Sequence, residues 1–276
     1  MAQCVEALLK SSNLPVIEAQ MLLEHATGWT RTALISHPER TVGDTPALLA
    51  QSLFARRRAG EPLAYLTGSR EFYGLMFQVS PAVLIPRPET ELLVELALGR
   101  LAQRPAQKLL DLGIGCGAVA LTLAKLCATV QVTGVEQSPA ALGIAKANAA
   151  ALLGPEWNAR LHLISGDWYQ PLGQARFDIV VSNPPYIAEA DRHLAQGDLR
   201  HEPRSALASG PDGLDAIRKI IHGAPTHLHH GGWLMFEHGY DQAEASATLL
   251  RQAGFSSFFC EKDLAGIPRV SGGQFN

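Results

Sequence analysis

The chain has 276 residues, 47% hydrophobic and 18% charged, which excludes a disordered protein and suits one large or two modest domains with a real core. Its formal net charge is −3, from 23 Lys+Arg against 26 Asp+Glu, which excludes the global positive field that gathers nucleic acid. The start has no charged segment followed by an apolar one, and no run approaches the roughly 20 apolar residues of a membrane span. The expectation is a cytoplasmic protein with neither a membrane nor a nucleic-acid partner.

Up to about residue 67 the apolar positions recur three or four apart: Val5, Leu8, Leu9, then Val16, Ile17, Met21, Leu22, Leu23, then Leu48, Leu49, Leu53, Phe54. That is the spacing of short amphipathic helices. Pro15, Gly28, Pro38 and Gly43 punctuate them, with Thr30 and Asp44 or Thr45 as plausible caps. Residues 1–67 therefore read as a small all-helical domain. Its basic cluster, Arg56-Arg57-Arg58, reads as a solvated helix face. From Glu71 to Ile85 the texture turns to Phe72, Tyr73, Phe77, Val79, Val83, Leu84 and Ile85 with breaks at Gly74 and Pro81, a short β-hairpin within a linker over 68–87.

Residues 88–276 form the last domain. Helices are expected at 89–103, 117–127, 139–152, near 213–229 and at 241–253, and strands at 108–112, 130–136, 160–165, 177–182, 233–237 and 255–261. Alternating helices and continuously apolar strands mean an α/β fold, a mostly parallel sheet with helices on both faces. Ligands of such sheets sit beyond the carboxyl ends of the strands. Cys4, Cys116, Cys127 and Cys260 are scattered without a CxxC, and His227, His229 and His230 read as part of a polar loop before a strand, so no metal is expected.

Asp111-Leu112-Gly113-Ile114-Gly115-Cys116-Gly117 follows the first sheet strand and opens a helix, where missing Cβ atoms allow a tight turn and close approach to a ligand. Glu136 ends the next strand 19 residues after Gly117, near the spacing of about 20 expected of a ribose-binding acid. The ligand is either a dinucleotide or S-adenosylmethionine. Asp111 favours the second, because that molecule offers an ammonium and no pyrophosphate. Asp167-Trp168 ends the third strand, placed to hydrogen-bond and pack against an adenine.

Asn183-Pro184-Pro185-Tyr186 at the end of strand 177–182 is the strongest chemical signal. Two prolines stiffen the loop, so the Asn183 side-chain oxygen and the Pro184 carbonyl become fixed neighbouring acceptors. Two such acceptors match the two N–H bonds of an amide or exocyclic amine, and Tyr186 can pack on the flat group that bears it.

The glycine loop and this tetrapeptide together resemble the class I S-adenosylmethionine-dependent methyltransferases that modify planar nitrogens. Arg70-Glu71-Phe72-Tyr73-Gly74, the stretch from Ile85 to Leu93 and the segment from Gly197 to Leu207 narrow the likeness. Across nearly the whole chain the sequence resembles the release factor glutamine methyltransferases, called HemK or PrmC. The resemblance implies a Rossmann-like sheet with a C-terminal antiparallel strand. It also implies transfer of a methyl group from S-adenosylmethionine, leaving S-adenosylhomocysteine, to the side-chain N5 of the glutamine in the Gly-Gly-Gln motif of class 1 peptide chain release factors. The implied catalytic residues are Asn183, Pro184 and Tyr186, and the implied cofactor residues are Asp111, Gly113, Ile114, Gly115, Cys116, Gly117, Glu136, Asp167, Trp168 and Asn183. Asn183, Pro184, Pro185 and Tyr186 would hold the substrate, and the helical domain would contact the release factor.

By the same resemblance Arg87, Pro88, Glu89 and Thr90 lie near the cofactor, although Pro-Glu-Thr is also an ordinary helix start. Glu202 and Arg204 either line the substrate mouth or pin a surface loop, the second being preferred. Ile114 and Glu136 depart from the small polar residue and the Asp common in relatives. Gly272-Gly273-Gln274 repeats the target tripeptide by chance. Rival functions are methylation of a ribosomal-protein glutamine, methylation of a nucleic-acid amine, and a non-catalytic cofactor-binding module.

Overall fold

The computed structural model describes residues 3–103 and 107–276. The chain divides into two compact units, Met1–Ser69 and Arg70–Asn276.

The first unit carries helices α1 (Val5–Ser11), α2 (Val16–Thr27), α3 (Arg31–Ser36), α4 (Asp44–Arg58) and α5 (Leu63–Thr67). Their apolar stripes close on one core that includes Leu8, Leu22, Leu23, Leu53 and Phe54. Thr30 caps α3 as expected, its hydroxyl accepting from the Ala33 N–H. Neither Asp44 nor Thr45 caps α4: the N-cap is Gly43, and Asp44 instead lies in the first turn, where its charge faces the positive end of the helix dipole. The unit is not wholly helical. Strands β1 (Gln3–Cys4) and β2 (Thr41–Val42) pair antiparallel, too short to leave a periodic signal in the sequence. The basic cluster lies on the surface as expected, Arg56 and Arg58 exposed, and each member has a partner within the unit: Arg56 pairs with Glu61, Arg57 with Glu18, and Arg58 donates to the Ser12 carbonyl.

A hairpin of β3 (Ser69–Phe72) and β4 (Leu75–Gln78) follows, earlier and shorter than the sequence texture suggests, because residues beyond Gln78 run as coil. Next come α6 (Glu91–Leu101), β5 (Lys108–Leu112), α7 (Ala118–Leu126), β6 (Gln131–Glu136), α8 (Pro139–Leu153), β7 (Leu161–Ser165) and β8 (Phe177–Ser182). The chain ends with α9 (Asp215–His227), β9 (Leu228–Glu237), α10 (Ala243–Gln252), β10 (Phe255–Lys262) and β11 (Pro268–Phe275). Among the described residues the main sheet has seven strands in the order β10-β11-β9-β8-β5-β6-β7. Strands β7, β6, β5, β8 and β9 run parallel, and β11 is antiparallel to both of its neighbours.

Two strands of the main sheet depart from what the apolar pattern alone announces. Strand β9 begins at Leu228 instead of 233: after pairing at Leu228 it leaves the β8 ladder and rejoins at Trp233, so the polar His229 to Gly232 stretch is an excursion within a strand. Strand β11 has no apolar alternation to announce it. A Cβ on Gly272 would fall 2.4 Å from the Leu234 carbonyl and 2.5 Å from the Phe259 ring, so packing demands a glycine where propensity disfavours one. Gly272-Gly273-Gln274 is thereby an interior strand segment, with the Gln274 amide donating to the Gly231 carbonyl at 3.0 Å.

Candidate active site

After β5, β6 and β7 the sheet resumes on the other side of β5 with β8, so the topological switch point lies between β5 and β8. Their carboxyl ends are adjacent, with Leu112 opposite Ser182, and the Ser182 hydroxyl stitches them by donating to the Leu112 carbonyl at 2.7 Å. The glycine loop leaves one strand and the tetrapeptide the other. Between them opens a cleft lined by the glycine loop, Trp168, Asn183 and Pro185, where ligands of such sheets sit.

The loop is held by backbone geometry. The N–H groups of Gly113 and Ile114 both donate to the Val135 carbonyl, at 2.9 and 3.1 Å. Gly117 caps α7 with φ +92°, and a Cβ there would lie 2.7 Å from Leu121. Ile114 fills the space above Gly134, where a Cβ would come within 2.4 Å of its Cδ1, so the bulky residue in the loop is matched by a missing one beneath it. Asn148 on α8 donates to the carbonyls of Cys116 and Gln78 and accepts from the Gln78 N–H, tying the loop to the hairpin. The Cys116 thiol is buried and pushed up to about 12, hence unreactive.

Three carboxyl side chains line this cleft, those of Asp111, Glu136 and Asp167. Asp111 is buried and accepts from the Ala120 N–H at 3.1 Å. Burial pushes its pKa up to about 7, the Ala120 hydrogen bond opposing and the Glu136 charge adding to the rise. Glu136 is pinned at both oxygens, accepting from Gly115 N–H at 3.0 Å and Ser138 N–H at 2.9 Å. Asp167 and Trp168 line the cleft from β7, and Trp168 takes a left-handed φ of +49°, a conformation non-glycine residues adopt at a cost of order 1 kcal/mol. Among the described residues that line the cleft there are Asp111, Glu136 and Asp167 but no Lys, Arg or His. That donor set fits an adenosine linked to a cationic amino-acid tail and opposes a pyrophosphate.

The tetrapeptide is oriented through side chains from distant elements. Asn183 Nδ2 donates to Thr90 Oγ1 at 3.0 Å, Thr90 Oγ1 donates to Glu237 Oε2 at 2.7 Å, and the Tyr186 hydroxyl donates to Glu237 Oε1 at 3.0 Å. Glu237 ends β9 and is buried; burial raises its pKa, while the two hydroxyl donors and the Arg269 charge pull it back. Burial and the neighbouring Glu237 hold the Tyr186 hydroxyl firmly protonated. Among the described residues neither Asn183 Oδ1 nor the Pro184 carbonyl accepts a hydrogen bond.

Of the residues singled out from sequence for the cofactor, all but Gly117 line the one cleft, joined by Pro185 and Thr90. Pro184, Tyr186, Arg87, Pro88 and Glu89 do not line it. Arg87 turns to pair with the buried Glu202, which also accepts from the Ile85 N–H at 3.0 Å, and Arg204 donates to the Glu189 carbonyl, so these groups fix the loops around the mouth. Glu237 and Asn148 escaped the sequence reading. An acid closing an apolar strand was the visible mark of the first; the second, an amide inside an alanine-rich helix, left none. Among the described residues no group of three His, Cys, Asp or Glu could hold a metal, and no helix is long and apolar enough to cross a membrane.

The N-terminal domain model of the PrmC proteins matches residues 2–68, and the methyltransferase small domain model matches residues 89–212. A release factor glutamine methyltransferase of Bordetella pertussis is 51% identical over 267 residues, covering 96% of this chain and 97% of that one. The chain belongs to the release factor glutamine methyltransferase family. Another member, from Vibrio cholerae, is 45% identical over 285 aligned positions, covering 100% of this chain and 98% of its own. The sheet is that of class I methyltransferases, and a methyltransferase of Pyrococcus furiosus superposes with a TM-score of 0.52 at 19% identity, covering 80% of this chain and 96% of that one.

Proposed function

We propose that this protein methylates the side-chain nitrogen of the glutamine in the Gly-Gly-Gln motif of a class 1 peptide chain release factor, in the cytoplasm, with S-adenosylmethionine as donor. One observation carries the reading: two acceptors that have no partner among the described residues, Asn183 Oδ1 and the Pro184 carbonyl, stand at the switch point beside a cleft that those residues line with carboxyl groups and no Lys, Arg or His. Curated relatives that match nearly end to end bear the name of that activity.

When bound, S-adenosylmethionine supplies a methyl group activated by a positively charged sulfur. Asp111 would take its ammonium, Glu136 the ribose hydroxyls, and Asp167 with Trp168 the adenine. An amide nitrogen is a poor nucleophile because its lone pair is delocalised into the carbonyl. Accepting both amide hydrogens at Asn183 Oδ1 and the Pro184 carbonyl aims that lone pair out of the acceptor plane, so positioning supplies most of the rate. Tyr186 braces the loop through Glu237, and no side chain has to form a covalent bond. The proton lost from nitrogen leaves to water after transfer.

The test is incubation with methyl-labelled S-adenosylmethionine and, separately, a class 1 release factor, ribosomal proteins, DNA and RNA. Label on the Gly-Gly-Gln glutamine of the release factor is expected. Label confined to a ribosomal protein or a nucleic acid overturns the substrate assignment.

A further inference from the structure

With Glu237 ionised, the groups around it admit one assignment of their hydrogens. An ionised carboxylate only accepts, and both of its oxygens face hydroxyls: Thr90 at 2.7 Å and Tyr186 at 3.0 Å. Each hydroxyl therefore spends its single proton on Glu237. The Thr90 oxygen can then only accept, and the group that meets it at 3.0 Å is the Asn183 carboxamide. The nitrogen end of that carboxamide must point to Thr90, which leaves the oxygen end to face outward. Were Thr90 instead to donate to Asn183, the amide would turn over and present an NH₂ to the incoming NH₂ of the substrate.

We infer that Glu237, acting through Thr90, is the positioning residue that selects which end of the Asn183 carboxamide meets the substrate. The inference rests on the reading of Asn183 as an acceptor for the substrate amide. It gives a function to a buried carboxylate that the methyl-transfer chemistry does not itself use, 147 residues from the threonine it orients. It also explains the threonine of the Pro88-Glu89-Thr90 turn, which sits 93 residues from Asn183 in sequence. A valine at 90 keeps the shape but removes the acceptor; a serine keeps the acceptor. A glutamine at 237 must give an N–H to Thr90 or to Tyr186, so the hydrogen assignment is no longer unique.

The experiment is a mutant cycle on the affinity of a Gly-Gly-Gln peptide for the full chain in the presence of S-adenosylhomocysteine, with single-turnover methylation alongside. Thr90→Val is expected to weaken the peptide about tenfold and Thr90→Ser less than about threefold, while S-adenosylhomocysteine affinity moves at most a few-fold in every variant. Glu237→Gln is expected to weaken the peptide in the same direction as Thr90→Val. On an Asn183→Ala background, Thr90→Val should change peptide affinity by less than about twofold, since there is no carboxamide left to orient. A structural role for Thr90 would weaken the peptide equally on both backgrounds, and that result overturns the proposal. Full peptide affinity and turnover in Thr90→Val or in Glu237→Gln overturns it as well. If Asn183→Ala itself keeps full peptide affinity and turnover, the acceptor reading beneath it is what falls.

Discussion

The two halves of the site are built in opposite ways. The glycine loop owes its shape mainly to backbone groups, with positive φ at Gly113, Gly115 and Gly117 and N–H groups donated one strand away to Val135, while Glu136 and Asn148 brace it from the neighbouring strand and helix. The tetrapeptide is stiff by virtue of its prolines but takes its orientation from Thr90 and Glu237, which the fold brings from far along the chain. A local device tolerates changes elsewhere in the sheet. A device assembled across three elements fails whenever one of them is altered.

The largest expected effect lies on the second half. Replacing Asn183 by Ala removes one of two acceptors and is expected to cost about 10²–10³-fold in turnover, comparable to losing one positioned hydrogen-bonding group in other active sites. Cofactor affinity should move only a few-fold, which equilibrium binding of S-adenosylhomocysteine checks. Equal losses in turnover and cofactor affinity would erase the distinction between the halves.

On the cofactor side, Asp111→Asn is expected to weaken S-adenosylmethionine by roughly 10–100-fold, the range for a hydrogen bond to a charged group. A pH series sharpens this. With its pKa pushed up to about 7, Asp111 in the free protein is protonated below that value and ionised above it, so affinity for the ammonium should rise as pH rises through about 7. The ligand-free protein is expected to show the reverse trend in stability. Its unfolded carboxyl has already released the proton by about pH 5, while the folded one holds it to about 7, so the unfolded state binds fewer protons and stability falls across that window. Asp111→Asn should flatten both profiles, as calorimetric titration and urea melts at several pH values would report.

Gly117→Ala probes the local device directly. A left-handed φ and a Cβ 2.7 Å from Leu121 predict a destabilisation of about 1–3 kcal/mol, read as a lower urea midpoint. The smallest effect is reserved for Gln274→Ala, which removes one side-chain hydrogen bond to Gly231 and is expected to cost about 1 kcal/mol. It should leave methylation of a release factor unchanged, and the wild-type protein incubated with cofactor alone should gain no methyl mass, since its Gly-Gly-Gln is a strand interior.

What the sequence revealed follows the same division. Strands β5 to β8 and the helices between them carry their periodicity in contiguous residues, so the sheet and the place of its switch point were readable. Asp111, Glu136, Asp167 and Trp168 were found because each ends a strand or opens a turn at a recognisable spacing. Glu237 was not: it too closes an apolar strand, but that mark alone does not tell an acid that accepts from Thr90 and Tyr186 from one that meets solvent. Strand β11 was legible only through the family resemblance, because Gly272, whose presence is dictated by the Phe259 ring on the neighbouring strand, breaks its apolar pattern. Packing from elsewhere in the fold decided both.

The central claim is that a flat carboxamide is gripped by its two hydrogens. A crystal structure of the protein with S-adenosylhomocysteine and a Gly-Gly-Gln peptide tests it most directly. The account predicts the glutamine side-chain nitrogen within about 2.7–3.2 Å of both Asn183 Oδ1 and the Pro184 carbonyl, its face toward the sulfur. A glutamine whose nitrogen points away from both acceptors would contradict it.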